Sequence, residues 1–159
     1  MSTLFGNLGA FLDAIALSEI GQALLEKSDD GYNVLVGSTA AAPLLFDFYA
    51  DHPNKQVFLP KLGIYSSAAG RYQLLHRYWP VYKQQLSLPD FGKAAQDAVA
   101  VCQIREQGAL LDVEMGRFDI AVSKVHNIWA SLPGAGYGQH ENALEDLRIA
   151  FTSAGGTLA

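Results

Sequence analysis

The chain has 159 residues, 50% hydrophobic and 17% charged, a length and balance that predict one compact domain with a sizeable core. A net charge of −5 and a pI near 5.2 argue against a nucleic-acid partner, and no apolar run reaches membrane-spanning length, so no membrane insertion is expected. Cys102 is the lone cysteine, which excludes an internal disulfide, and its apolar helical neighbours predict a buried, inert thiol.

The first segment, "MSTLFGNLGAFLDAIAL", has no Lys or Arg ahead of its apolar residues, and Asp13 interrupts it. That is not the pattern of a secretory leader, so folding in a cytosol is expected. Leu4, Leu8, Phe11, Leu12 and Ile15 recur at helical spacing and draw one apolar stripe along an amphipathic helix. One turn further the stripe lands on Glu19, at a helix end where the dipole disfavours negative charge. Two readings fit. Glu19 is a solvated residue beyond the last core position, or it is a half-desolvated acid lining a cleft, with its protonated form favoured.

After the polar "EKSDDG", the run "YNVLVG" alternates β-branched residues and closes on glycine, which predicts a strand. The following "STAAAPLL" reads as a loop. "FDFYADHPNKQVFLPKLG" is punctuated by Pro53, Asn54, Pro60 and Gly63, with "QVFL" as a second strand or extended segment. From Ser66 the pattern turns helical: "SSAAGRYQLLHRYW" places Tyr72, Leu75, Tyr78 and Trp79 in register, and Pro80 ends that helix and starts "PVYKQQL". A third helix is expected from an Asp90 N-cap to a stop at Gly108, and a fourth over "RFDIAVSKVHNIWASL". The glycine-rich "PGAGYGQ" follows, and a last helix carries Ala143, Leu144, Leu147, Ala150 and Phe151 on one face and ends at Gly155. The layout is α+β: a helix ending in an acid, a small β lobe, then a larger helical lobe, with a cleft expected where the lobes meet.

The sequence has no zinc-like Cys/His pairs, phosphate-cradling glycine loop or nucleophile elbow, and His52, His76, His126 and His140 are scattered. No metal site and no cofactor are assigned.

"AFLDAIALSEIG", "GYNVLVGS", "DHPNK", "SAAGRYQLLHRYWPVYKQQL", "QDAVAVCQIREQGAL", "NIWASLPGAGYGQ" and "AGGT" occur in the order, and close to the form, of the lambda-type phage endolysins. The chain resembles that family from about Phe11 to Thr157. The resemblance implies a lysozyme-like fold, with residues 1–159 as one catalytic domain acting on a peptidoglycan glycan strand. It implies a lytic transglycosylase, which breaks the bond between N-acetylmuramic acid and N-acetylglucosamine and leaves a 1,6-anhydromuramic end. The glutamate of the family's Ser-Glu motif falls on Glu19. A monomeric enzyme is implied, waiting in the host bacterial cytoplasm until a holin permeabilises the membrane and gives it access to the wall.

Most glycosidases need two carboxylates, but a transglycosylase manages with one because its nucleophile, the muramic acid 6-hydroxyl, belongs to the substrate. The places that hold an aspartate and a threonine in T-even phage lysozymes fall here on Ser28 and Val34. Asp29, Asp30, Asp47 and Asp51 read as residues of solvated turns, which leaves a two-carboxylate hydrolase as the alternative. Tyr72 and Gln73 are expected to open a helix and line the cleft, against core packing and capping as the plainer readings. Tyr137, set between glycines, Gln139 and Ser18 complete the candidate substrate contacts. Trp79 and Trp129 read as core. Arg71 fits either a substrate carboxylate or a surface salt bridge. Where the family has glycine after its catalytic glutamate, this chain has Ile20, which keeps a non-catalytic glycan-binding descendant as a third reading.

Overall fold

The computed structural model describes residues 1–136 and 141–159. The chain forms two compact units, residues 1–19 with 97–159 and residues 20–96.

In the first unit, helix α1 (Gly6–Ile20) buries Phe11, Leu12 and Ile15 as the stripe predicts. It also buries Gly9, Ala10, Ala14, Ala16 and Ser18, so the single-stripe reading is corrected. Small residues between the large ones let neighbours approach the helix from several sides. Phe11 meets the edge of Phe118, which lies tilted against Phe151, with centroids 5.6 and 5.0 Å apart. These rings join α1 to α6 (Phe118–Val125) and α7 (Leu144–Ser153). Helix α4 (Lys93–Glu106) ends at Gly108, whose φ of +67° lets its N–H and that of Ala109 bond back to Arg105 and Ile104. Cys102 on α4 is buried, and desolvation pushes its thiol pKa up.

Two sequence expectations in this unit are corrected. The short helix α5 (Leu110–Glu114) stands where no separate helix is expected, and Gly116 breaks the path between it and α6. Helix α6 stops at Val125, so Trp129 reaches the core from a turn, 2% exposed. The chain ends are clamped across this turn. The amide of Asn7 donates to the carbonyls of Glu114 and Thr157 and accepts the Thr157 N–H, while Ala159 N–H bonds Gly116 O at 3.0 Å.

In the second unit, "QVFL" supplies β1 (Val57–Leu59), which pairs antiparallel with β2 (Ile64–Ser66), Phe58 opposite Tyr65. The helix expected from Ser66 is corrected at both ends. Ile64–Ser66 is strand, and residues 67–75 form a tight loop in which Ala69 and Leu74 exchange both backbone hydrogen bonds. Gly70 at φ +83° and Gln73 at φ +51° make that reversal, and neither conformation fits a right-handed helix. Helical geometry resumes in a 3₁₀ turn (His76–Tyr78) and α3 (Trp79–Gln85), with Pro80 in its first turn as expected. "YNVLVG" is not a strand either: Val34 and Leu35 make single bridges to different partners, Leu45 and Ala69, between turns at Gly31 and Gly37. Asp90 accepts the N–H of Gly92 in a turn ahead of α4 rather than capping the helix itself.

Arg71, read from sequence as a surface or substrate-facing cation, is 2% exposed. Its guanidinium lies against the Tyr32 and Tyr72 rings at 5.2 and 5.6 Å, donates to Asp30 O and the Tyr72 hydroxyl, and pairs with the Asp30 carboxylate at 3.5 Å. Trp79 is core as expected, 1% exposed.

A Cβ on Gly116 would collide with the Thr157 carbonyl, at a φ of +72° that L-residues resist. Gly116→Ala should lower the melting temperature by roughly 5 °C or more, measured by thermal unfolding followed with circular dichroism; an unchanged melt would show that the clamp contributes little.

Candidate active site

Glu19 occupies the last turn of α1 and is half-buried. The helix runs through Ile20, and the positive φ needed to leave it, +82°, falls on Gly21, which starts α2 (Gln22–Glu26). Ile20 therefore keeps a helical backbone that suits a β-branched residue, and the turn does not depend on a glycine directly after the acid. Burial raises the Glu19 pKa above the usual carboxylate range, and hydrogen bonds from the Ser131 hydroxyl and N–H partly offset it. The carbonyl end of α1 acts in the same direction as burial.

The bond from Ser131 Oγ to Glu19 Oε1 is 2.5 Å. Behind it, Ser18 Oγ donates to Ser131 Oγ at 2.8 Å, and Asn142 Nδ2 lies 3.0 Å from Ser18 Oγ. Ser18, expected beside the sugar, is thus buried and bonded to the group that holds the acid. Ser131 and Asn142 were not singled out from the sequence. Ser131 lies inside the quoted "NIWASLPGAGYGQ", but 112 positions from Glu19, and no local spacing pairs the two.

Glu141 receives the N–H groups of Gly134 and Gly136 on its two oxygens, which lowers its pKa and holds residues 134–136. Tyr137 and Gln139 lie outside the described residues.

In the second unit Tyr72 is buried, edge-on to Tyr32, with its hydroxyl accepting from Arg71. Gln73 is half-buried, and its Nε2 donates to Gly70 O at 2.8 Å and Val34 O at 3.3 Å. The amide of Gln96 braces this loop, accepting Arg71 N–H and donating to Tyr32 O and Phe91 O. Ser28 accepts the Gly31 N–H and bonds Leu24 O, closing α2, and Val34 is core. Two of the neighbouring acids, Asp29 and Asp51, have partners of their own. Asp29 takes Lys93 Nζ at 2.6 Å and the Tyr49 hydroxyl at 2.7 Å, and Asp51 takes the Trp79 indole N–H and Lys83. Hydrogen bonds from those partners, led by Lys93 and Trp79, hold both carboxyls below the usual range. Among the described residues no group of three His, Cys, Asp or Glu side chains is placed to hold a metal ion.

Comparison with known proteins gives consistent results. A family model described as Endolysin matches residues 9–158. The chain is 46% identical over 158 residues to the endolysin of Escherichia phage P2, covering 96% of this chain and 95% of that protein. It is 49% identical over 151 residues to the endolysin of Escherichia phage lambda, covering 94% and 91%. The structure of bacteriophage lambda lysozyme complexed with a chitohexasaccharide matches with a TM-score of 0.88 at 44% identity, over 100% of both chains. A second structure of lambda lysozyme matches at 0.84, again at 44% identity over 100% of both.

A carboxyl whose folded-state pKa is raised binds its proton more tightly folded than unfolded. Its ionisation therefore costs stability, a cost absent below the unfolded pKa and complete once pH passes the folded one. Glu19→Gln, which keeps the shape without the charge, should melt a few degrees above wild type at neutral pH, with the gap closing toward pH 4. Melting curves across that range check it, and a gap independent of pH would contradict the raised pKa.

Proposed function

Because the chain belongs to the endolysin family, we propose that it cuts the β-1,4 bond between N-acetylmuramic acid and N-acetylglucosamine by lytic transglycosylation, with Glu19 carrying the proton. At the coarser level the protein is a phage endolysin of the lambda type, an enzyme that degrades peptidoglycan, on an α+β, lysozyme-like fold. The observation that supports the finer reading is a carboxyl kept half-dry at the end of α1, while Asp29, Asp30 and Asp51 are each engaged by a cationic side chain.

Protonated Glu19 gives its proton to the glycosidic oxygen as the bond from that oxygen to muramic C1 breaks, and the N-acetylglucosamine unit leaves as an alcohol. The positive charge growing at C1 is met by the substrate's own N-acetyl group. The muramic 6-hydroxyl then attacks C1 and passes its proton to Glu19, which ends the cycle as it began. No water is consumed, and the product carries a 1,6-anhydro ring. Residues 1–159 act as one catalytic domain. Gln73, Tyr137 and Gln139 remain the glycan contacts of this reading, while Tyr72, expected beside them, is buried and anchors the loop that Gln73 reverses. No helix among the described residues is long and apolar enough to cross a membrane. The reading assigns passage to the wall to a holin.

Digestion of purified sacculi, with the released muropeptides weighed by mass spectrometry, tests the reaction. The expected products are one water lighter than reducing-end fragments. Reducing ends would make the enzyme a hydrolase, and no release at all would leave a binding protein. Glu19→Gln should cut release by at least about 10³-fold while the protein stays folded, given the size of general acid and base contributions; near-wild-type release would remove Glu19 from the mechanism.

A further inference from the structure

The hydrogen bonds behind Glu19 run in one direction. Asn142 Nδ2 lies 3.2 Å from the Ser18 carbonyl oxygen and 3.0 Å from Ser18 Oγ. A backbone carbonyl only accepts, so the side of the amide turned to Ser18 is its NH₂ and not its oxygen. An NH₂ only donates, so Ser18 Oγ accepts from Asn142 and sends its own proton to Ser131 Oγ, 2.8 Å away. Ser131 Oγ, already accepting, sends its proton to Glu19 Oε1. The main chain holds the two loop segments together, Asn142 N–H bonding Ser131 O at 2.9 Å.

We infer that Asn142 sets the direction of this relay and makes Ser131 a positioning residue, a hydroxyl committed to donate to Glu19 Oε1; the inference rests on Glu19 being the acid. A hydroxyl free to turn would accept from a carboxylic acid as readily as donate to a carboxylate, and so would favour neither form. A committed donor favours the carboxylate and fixes the aim of Oε1. The titratable groups on the neighbouring elements have other partners: Asp13 on α1 takes the Ser2 N–H, Glu141 takes Gly134 and Gly136, and His126 acts on Glu141.

The test combines ¹³C-carboxyl NMR titration of Glu19 in the full chain with the pH profile of sacculus digestion. Ser131→Ala should raise the Glu19 midpoint by about one pH unit, move the alkaline limb of the profile with it, and lower kcat. Ser131→Thr, which keeps the hydroxyl, should restore both. Asn142→Leu should shift the midpoint the same way by a smaller amount, because Ser18 and Ser131 are then free to reverse. If Ser131→Ala does not fold, Ser131→Cys, a weaker donor, takes its place with an intermediate shift. A midpoint that stays at the wild-type value without the Ser131 hydroxyl, or one indifferent to Asn142, overturns the inference. A midpoint that moves while the activity profile stays fixed keeps the relay and instead rejects Glu19 as the acid.

Discussion

Two opposed influences act on the Glu19 carboxyl. Burial and the carbonyl end of α1 favour the neutral form, and Ser131 favours the charged one. A hydrogen bond to a charged group contributes roughly 1.5–3 kcal/mol, against roughly 0.3–1 kcal/mol for a charge at a helix end. The hydroxyl therefore outweighs the helix end. Burial outweighs the hydroxyl, since the net direction is upward. The first unit holds α1 in place by apolar packing against α6 and α7, and the segment around Ser131 brings the hydroxyl to its end.

The second unit handles the opposite charge differently. Arg71 is buried more deeply than Glu19, but it is surrounded by acceptors and two aromatic faces, so its charge is compensated in place. Such a cation anchors structure.

Much of this was legible in the sequence where the signal is local. The large core residues of α1, the stop at Gly108, Pro80 opening α3 and Glu19 at a helix end follow from spacing and turn chemistry. The loop around Arg71 was misread as helix because Tyr72, Leu75 and Trp79 mimic helical spacing. The decisive fact, a left-handed backbone at Gln73, is imposed by long-range bonding through Val34 and Gln96. Ser131 and Asn142 were invisible for a related reason: a serine and an asparagine become informative only when folding brings them to an acid at the other end of the chain. The match to known endolysins covers 94–96% of the chain and gives the family, while the direction of the hydrogen bonds comes from atoms alone.

The first unit is assembled from both ends of the chain, with residues 20–96 inserted between them. Its acid precedes its amide anchor by more than a hundred positions, with 124 between Ser18 and Asn142. At a synthesis rate of about 5–20 residues per second, α1 waits on the order of 10 s on the ribosome before its partners emerge. A nascent or prematurely terminated chain thus carries the glutamate without the surroundings that tune it. Ser131 and Asn142 must both be made before the hydroxyl can reach Glu19.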